Sequence, residues 1–296
     1  MWRLDGLANF LPYAWLPFLV VILPASFSVR RRTLAVFAAI PAVALVAVVM
    51  TPGAFTASRD VTSGVGEGSR LRVVTANVLM SNGQWPALME DVRAQAPDVI
   101  VFEELTRDLD EVLPSLAAAY PYRISTETPC VTLASRLPLS EARRLPIAGA
   151  DRGRDLLMAT VEVAGQPVTV VAVHFTPPSS AAAFETNRQQ RDVFEDAIAS
   201  VDGPLVVAGD FNATTFSPTF ARLLLGTGLR IEGGTRQMES TYAVYGRLGL
   251  RIDHVLVRDL GWTSGEVFTL TGSDHRGVRV DLRLPQATGP SLAAAR

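Results

Sequence analysis

Residues 157–174, LMATVEVAGQPVTVVAVH, decide the fold class. Over 157–163 and 168–173, β-branched side chains recur with the two-residue period of a strand, and Gly165 lies in the short turn between them. Strands joined so tightly are antiparallel neighbours. Outward from this hairpin, 71–78, 98–102, 131–134 and 205–208 read as further strands, and 252–257 and 277–284 close the domain. Over 85–96 the period lengthens, placing Trp85, Leu88, Met89, Val92 and Ala96 on one helical face. A second helix is expected over 183–199. Ser217 followed by Pro218 marks the N-cap and first turn of a short helix ending at Gly226. Hairpin strands mixed with a few helices predict two packed, mainly antiparallel sheets covered by helices, an α/β sandwich.

The chain has 296 residues, enough for one large domain with an appendage. Its formal net charge is −2, so no bulk positive field marks it for nucleic acid or an acidic membrane surface. The single cysteine, Cys130, cannot close an internal disulfide. The appendage is apolar: residues 6–29 carry no charge, nor do 33–58, and about 20 such residues cross a bilayer. The organisation expected is a membrane anchor of two transmembrane helices over 1–52, a Gly-, Ser- and Thr-rich flexible linker over 53–69, the main domain over 70–284, and a disordered tail over 285–296. Pro12, Pro17 and Pro24 interrupt the first segment, so either both segments cross or only the second does. Arg30, Arg31 and Arg32 between them stay on the cytoplasmic side, which puts the domain outside the membrane in both cases. A buried helical hairpin or a cleaved signal peptide are the competing readings of the same stretch.

Polar residues stand at the ends of the apolar strands: Asn77, Glu104, His174, Asp210, Asp253 and the pair Asp274-His275. In a sandwich such ends gather at one edge of the two sheets, which implies a site. His254 follows Asp253 within a strand, so alternation sends one of the two to the opposite face.

Thr75-Ala76-Asn77-Val78, Glu103-Glu104, Gly209-Asp210-Phe211-Asn212, Arg251-Ile252-Asp253-His254 and Ser273-Asp274-His275 resemble, in this order, the signatures of the endonuclease/exonuclease/phosphatase superfamily. The resemblance covers 70–284 and implies a four-layer α/β sandwich with metal-dependent phosphoester hydrolase activity. By that resemblance Glu104 is similar to the principal metal-binding carboxylate, with Asn77 and Asp274 as further ligands of Mg²⁺ or Mn²⁺. Asp210 and Asn212 resemble the pair that positions water and holds a phosphate oxygen. His275 resembles the catalytic imidazole and Asp253 its carboxylate orienter, while His174 resembles a second catalytic histidine. The general base is then either Asp210 or the Asp253/His275 pair.

Two positions depart from the pattern. Glu103 stands where the superfamily usually has Gln, which leaves two adjacent acids to choose between. Gly277 stands where proline is usual, a loss expected to loosen the final turn. The partners implied are a phosphoester substrate, either nucleic acid or phospholipid, and the membrane through the N-terminal helices; a monomer is expected. A non-catalytic binding module of the same fold is the reading from another class, and intact acids and histidines at each signature argue against it.

Overall fold

Runs of Val, Ile and Leu buried on both faces build the centre of the molecule. The computed structural model describes residues 2–13, 69–106, 111, 114–127, 130–147, 152–233, 239–245 and 248–285. One six-stranded sheet runs β13 (Gly261–Thr269), β14 (Arg276–Arg283), β1 (Arg70–Asn77), β2 (Val99–Leu105), β4 (Cys130–Ser135) and β3 (Tyr122–Ser125). The other runs β5 (Leu139–Leu145), β6 (Leu156–Val163), β7 (Gln166–His174), β8 (Leu205–Asp210), β12 (Asp253–Arg258) and β9 (Arg230–Ile231). Only β1–β2 and β7–β8 pair in parallel; the other pairs in both sheets are antiparallel. The β6–β7 hairpin turns on Ala164 and Gly165, both at positive φ, as a two-residue turn matched to strand twist requires.

Three apolar clusters define four layers. Leu71, Val99, Val170 and Val255 belong to the seam between the sheets. Helices α2 (Trp85–Ala94) and α3 (Pro114–Ala119) contribute Trp85, Leu88, Met89, Val92 and Leu116 to a second cluster, which covers the outer face of the first sheet. Helices α4 (Ala181–Ala199) and α5 (Pro218–Thr227) supply Phe194, Ile198, Phe220 and Leu223 to a third, over the second sheet. Ser217 caps α5, its Oγ accepting from the Phe220 amide at 3.2 Å, and Gly228 ends the helix at a left-handed φ of 69°. The helix thus stops at Thr227 rather than at the expected Gly226.

Other boundaries also differ from the sequence reading. Ala96 lies outside α2 at φ 48°, so only Trp85, Leu88, Met89 and Val92 form the buried face. The short strands β3 and β5, the long β13 and a two-stranded ribbon, β10 (Tyr242–Tyr245) with β11 (Leu248–Leu250), lack a clear apolar alternation and were not expected. Gly277, expected to loosen the last turn, has a packing reason of its own. It pairs with Phe268 across β13 and β14, and a Cβ there would meet the Phe268 ring at 2.3 Å; glycine makes room for the ring.

The first predicted span was expected from Gly6, but α1 (Trp2–Ala8) and the 3₁₀ turn Leu11–Tyr13 are described with the main domain, and α1 packs on α5. Residues 14–68 and 286–296 lie outside the described residues, and with them the rest of the predicted anchor, nearly all of the linker and the tail. Among the described residues no helix is long and apolar enough to cross a membrane.

Candidate active site

The two parallel pairs bring strand ends into register. Asn77 lies beside Glu103 across β1–β2, and His174 beside Asp210 across β7–β8. The start of antiparallel β12 sets Asp253 opposite Asp210. Close approach at this edge needs Gly209: its φ is 146°, and a Cβ would lie 1.9 Å from the Val173 carbonyl oxygen.

His275 and Asp253 form the most definite pair. Nδ1 of His275 lies 3.0 Å from Asp253 Oδ2 and 3.2 Å from Oδ1. Burial opposes the imidazolium, but Asp253, with Asp210 and Asp274 behind it, outweighs that and lifts His275 to about 10. The ring is therefore charged at neutral pH, with Nδ1 engaged and Nε2 left to donate. Three residues hold the pair. Thr241 Oγ1 accepts from the amides of Ile252 and Asp253, Ser273 Oγ donates to the Asn77 carbonyl and accepts from the His275 amide, and the Tyr242 ring lies 4.8 Å from the imidazole.

Asp210 sits at the centre of the edge. Its Oδ2 accepts from Asn77 Nδ2 at 3.3 Å and from Asn212 Nδ2 at 3.2 Å, and its Oδ1 from the Asn212 amide at 2.8 Å. Burial, and then the charge of Asp253, raise its carboxyl to about 7. Asn212 also donates from Nδ2 to the Phe175 carbonyl at 2.9 Å, so both amide protons are used within the protein. That geometry, with Asn212 held at φ 49°, orients the Asp210 carboxylate.

The adjacent acids divide sharply. Glu104 takes a left-handed φ of 61° at an irregularity in the β2–β4 pairing, which breaks strand alternation and turns its carboxylate to the edge. There it accepts from the Met80 amide at 3.1 Å and from Asn77 Nδ2 at 3.4 Å, and faces His174 Nε2 at 3.9 Å. Glu103 is fully buried behind it, accepting from Thr75 Oγ1 at 2.7 Å; burial and the nearby Asp253 push its carboxyl well above the usual range. His174 Nε2 lies 3.6 Å from Asp210 Oδ2, and burial, with Arg154 and His275 nearby, holds its pKa well below the ordinary value. Arg154, which sequence reasoning did not single out, donates to the Phe175 carbonyl at 3.2 Å and is close enough to bias both His174 and Asp210.

Two residues stand apart. Asp274 is exposed beside the group, its carbonyl accepting from the Ala243 amide. His254 is buried on the other face of β12, Nε2 at 2.9 Å from the Ala213 carbonyl and the ring stacked on Phe220 at 4.8 Å. Burial and then Arg251 lower its pKa to about 3. Since the unfolded chain takes up this proton near pH 6.5 and the folded chain only near 3, stability should fall as pH drops through that window, by up to about 1.4 kcal/mol per pH unit. Chemical unfolding of wild type and His254→Gln at several pH values checks this: the variant should start less stable near pH 8 and show a flatter acid slope. An unchanged slope would remove His254 from the account.

Asp210, Asp253 and His275 offer ligand atoms that all lie within 4.8 Å of one another, and Asn77 links Asp210 to Glu104. Three carboxylates thus face one imidazolium, with His174 held neutral. Hard oxygen donors carrying surplus negative charge suit a divalent cation such as Mg²⁺ or Mn²⁺.

The sequence pattern of the Endonuclease/Exonuclease/phosphatase family matches residues 74–275, which span every residue of this edge. The chain belongs to this family. No curated protein matches the sequence. Among solved structures, the chain is similar to an endonuclease/exonuclease/phosphatase from Beutenbergia cavernae, at 27% identity and a TM-score of 0.62, with 73% of this chain and 72% of that one covered. It also shares its fold with D. rerio TDP2 complexed with single-strand DNA product, at 18% identity and TM-score 0.62, covering 73% and 99%. Sphingomyelinase C from Streptomyces griseocarneus has 20% identity and TM-score 0.54, covering 72% and 99%. Members of the family are phosphoester hydrolases, so that class of chemistry is the frame for this edge.

Proposed function

We propose that this protein is a divalent-metal-dependent phosphodiesterase, acting most readily on nucleic acid, tethered by its N-terminal segments with the catalytic domain outside the cytoplasmic membrane. The observation that carries the reading is the convergence of Asp210, Asp253 and His275 beside Glu104, Asn77 and His174. Glu104, with Asn77, would hold Mg²⁺ or Mn²⁺, and Asp274, exposed at the rim, would be a further ligand. The bound ion supplies charge neutralisation at the phosphoryl oxygens.

The chain's own groups supply the rest. The raised pKa and central position of Asp210 suit it to take a proton from the attacking water. Asn77 and Asn212 fix its carboxylate. The His275 imidazolium, oriented by Asp253, is a donor to a phosphoryl oxygen, and this leaves Asp210 rather than the Asp253/His275 pair as the base. His174, neutral, is placed to donate to the phosphate or to the leaving oxygen.

Phospholipid is the second substrate reading, favoured by the tether and by the apolar side chains exposed on α1. Full-length protein in lipid nanodiscs, given Mg²⁺, should nick plasmid DNA and release p-nitrophenol from bis(p-nitrophenyl) phosphate, and both activities should vanish with chelator. Release of phosphocholine from sphingomyelin or phosphatidylcholine without DNA cleavage would move the assignment to lipid. Absence of metal-dependent turnover on all of these would leave the binding-module reading.

A further inference from the structure

The strap formed by residues 2–13 has two unlike faces. Its polar side chains are committed to the catalytic domain. Asp5, almost fully buried, accepts at Oδ1 from Ser217 Oγ at 2.9 Å, from the Thr219 amide at 3.1 Å and from Thr219 Oγ1 at 2.8 Å, capping α5 from outside its own chain segment. Asn9 Oδ1 accepts from the Thr214 amide at 2.7 Å and its hydroxyl at 2.9 Å. The Tyr13 hydroxyl donates to the Gly249 carbonyl and accepts from its amide at 3.0 Å. Buried polar groups paired this completely mark a built contact.

The opposite face is open and, apart from the exposed Arg3, apolar. Leu4 is 71% exposed and Leu7, one turn on, 68%; Phe10 and Leu11 follow at 43% and 41%. Large apolar side chains concentrated this way on one short segment mark an interaction surface. The ribbon that Tyr13 holds carries two more, Val244 and Leu248. Where the strap ends, the sequence says what covers it: from Ala14 the chain runs without a charge to Val29, then through the three arginines into a second charge-free stretch, and returns at Ser69 to the start of β1.

We infer that residues 2–13 are a strap that seats the catalytic domain on the outer face of a phospholipid bilayer, with Leu4, Leu7, Phe10 and Leu11 in the lipid interface. The inference rests on the tethering reading above and adds two things to it. Contact between Asp5 and Ser217 requires the N-terminus and the catalytic domain to lie on the same side of the membrane, so a single crossing by the second segment is excluded and the chain enters and returns. The grip of Asn9 on Thr214, two residues from Asn212, also ties the seat on the membrane to the loop after Asp210.

The test uses the full chain in a Cys130→Ser background, with single cysteines at Leu4, Leu7 and, as a reference on α2, Glu90. Each is labelled with bimane and reconstituted into phosphatidylcholine and phosphatidylglycerol vesicles containing a headgroup-region nitroxide lipid. Labels at 4 and 7 should be quenched several-fold more than the label at 90, with phosphodiester turnover unchanged by labelling. Equal quenching at all three sites overturns the strap while leaving the tether intact. Cross-linking between position 4 of two copies without lipid quenching also overturns it, because a second copy then covers the face. Release of the chain from cell membranes by alkaline carbonate sinks the tether itself, and the strap with it.

Discussion

Alanine at His275 is expected to lower turnover by about 10²- to 10³-fold, the scale of a lost preorganised donor to developing charge, with no recovery at high Mg²⁺. Asp253 and the Tyr242 ring hold the side chain and Ser273 its backbone amide, so removal of the ring deletes a donor that neither water nor metal replaces at the same point. Asp253→Asn separates charge from position. In the wild type the imidazolium persists to about pH 10 because Asp253 outweighs burial. Without that carboxylate the folded pKa falls, so the charged form, and the activity that depends on it, is lost as pH rises through a lower value. The variant should lose its residual rate toward pH 9, an alkaline limb that wild type shows only at higher pH. Profiles of kcat/KM across that range decide the matter. Near-wild-type rates in His275→Ala would remove the ring from the chemistry.

The parts of the fold that follow from apolar periodicity were legible in the chain: the β6–β7 hairpin, the Trp85 face of α2 and the Ser217 cap all follow from local rules. β5 and β13 were not, because polar residues, and in β13 two glycines, interrupt their apolar alternation, and they gain their place from pairing. The polar strand ends predicted which residues gather, since parallel neighbours in register bring equivalent ends abreast. What strand alternation could not give is which of Glu103 and Glu104 faces the edge. That depends on one left-handed residue at a bulge, a tertiary event with no signal in an adjacent pair of acids. The supports of the pair, Thr241 and Tyr242, lie more than ten residues from Asp253 in sequence and reach it through the β10–β11 ribbon, whose strands are too short to announce themselves. The strap was hidden for the opposite reason: a charge-free stretch reads as membrane from its first residue, and the polar contacts of Asn9 and Tyr13 inside it count for little in such a reading.

Glu104→Ala and Asp210→Asn should both impair hydrolysis, and metal should tell them apart. Glu104 makes one amide contact and one long contact to Asn77, and keeps a partly open carboxylate; its proposed duty is as a hard ligand. Truncation weakens metal binding while Asp210, Asn77 and the His275 pair stay in place, so the lost rate should return in part as Mg²⁺ is raised. Asp210 has more duties. Its carboxylate accepts three hydrogen bonds from Asn77 and Asn212, and an amide in its place turns an N–H₂ toward donors that in the wild type meet an oxygen. It also loses the site that takes the proton from water. A loss of about 10²- to 10⁴-fold is expected, and added metal cannot restore a missing base. Thermal unfolding of the variant, measured alongside, separates this from a collapsed edge, since β8 is held by its backbone pairing to β7 and β12. The decisive measurement is initial rate against Mg²⁺ and Mn²⁺ concentration for wild type and both variants on bis(p-nitrophenyl) phosphate. Full rescue of Asp210→Asn by metal would reassign Asp210 from base to ligand. A Glu104→Ala enzyme with unchanged metal dependence would move the ion away from Glu104 and toward the Asp210–Asp253–His275 group.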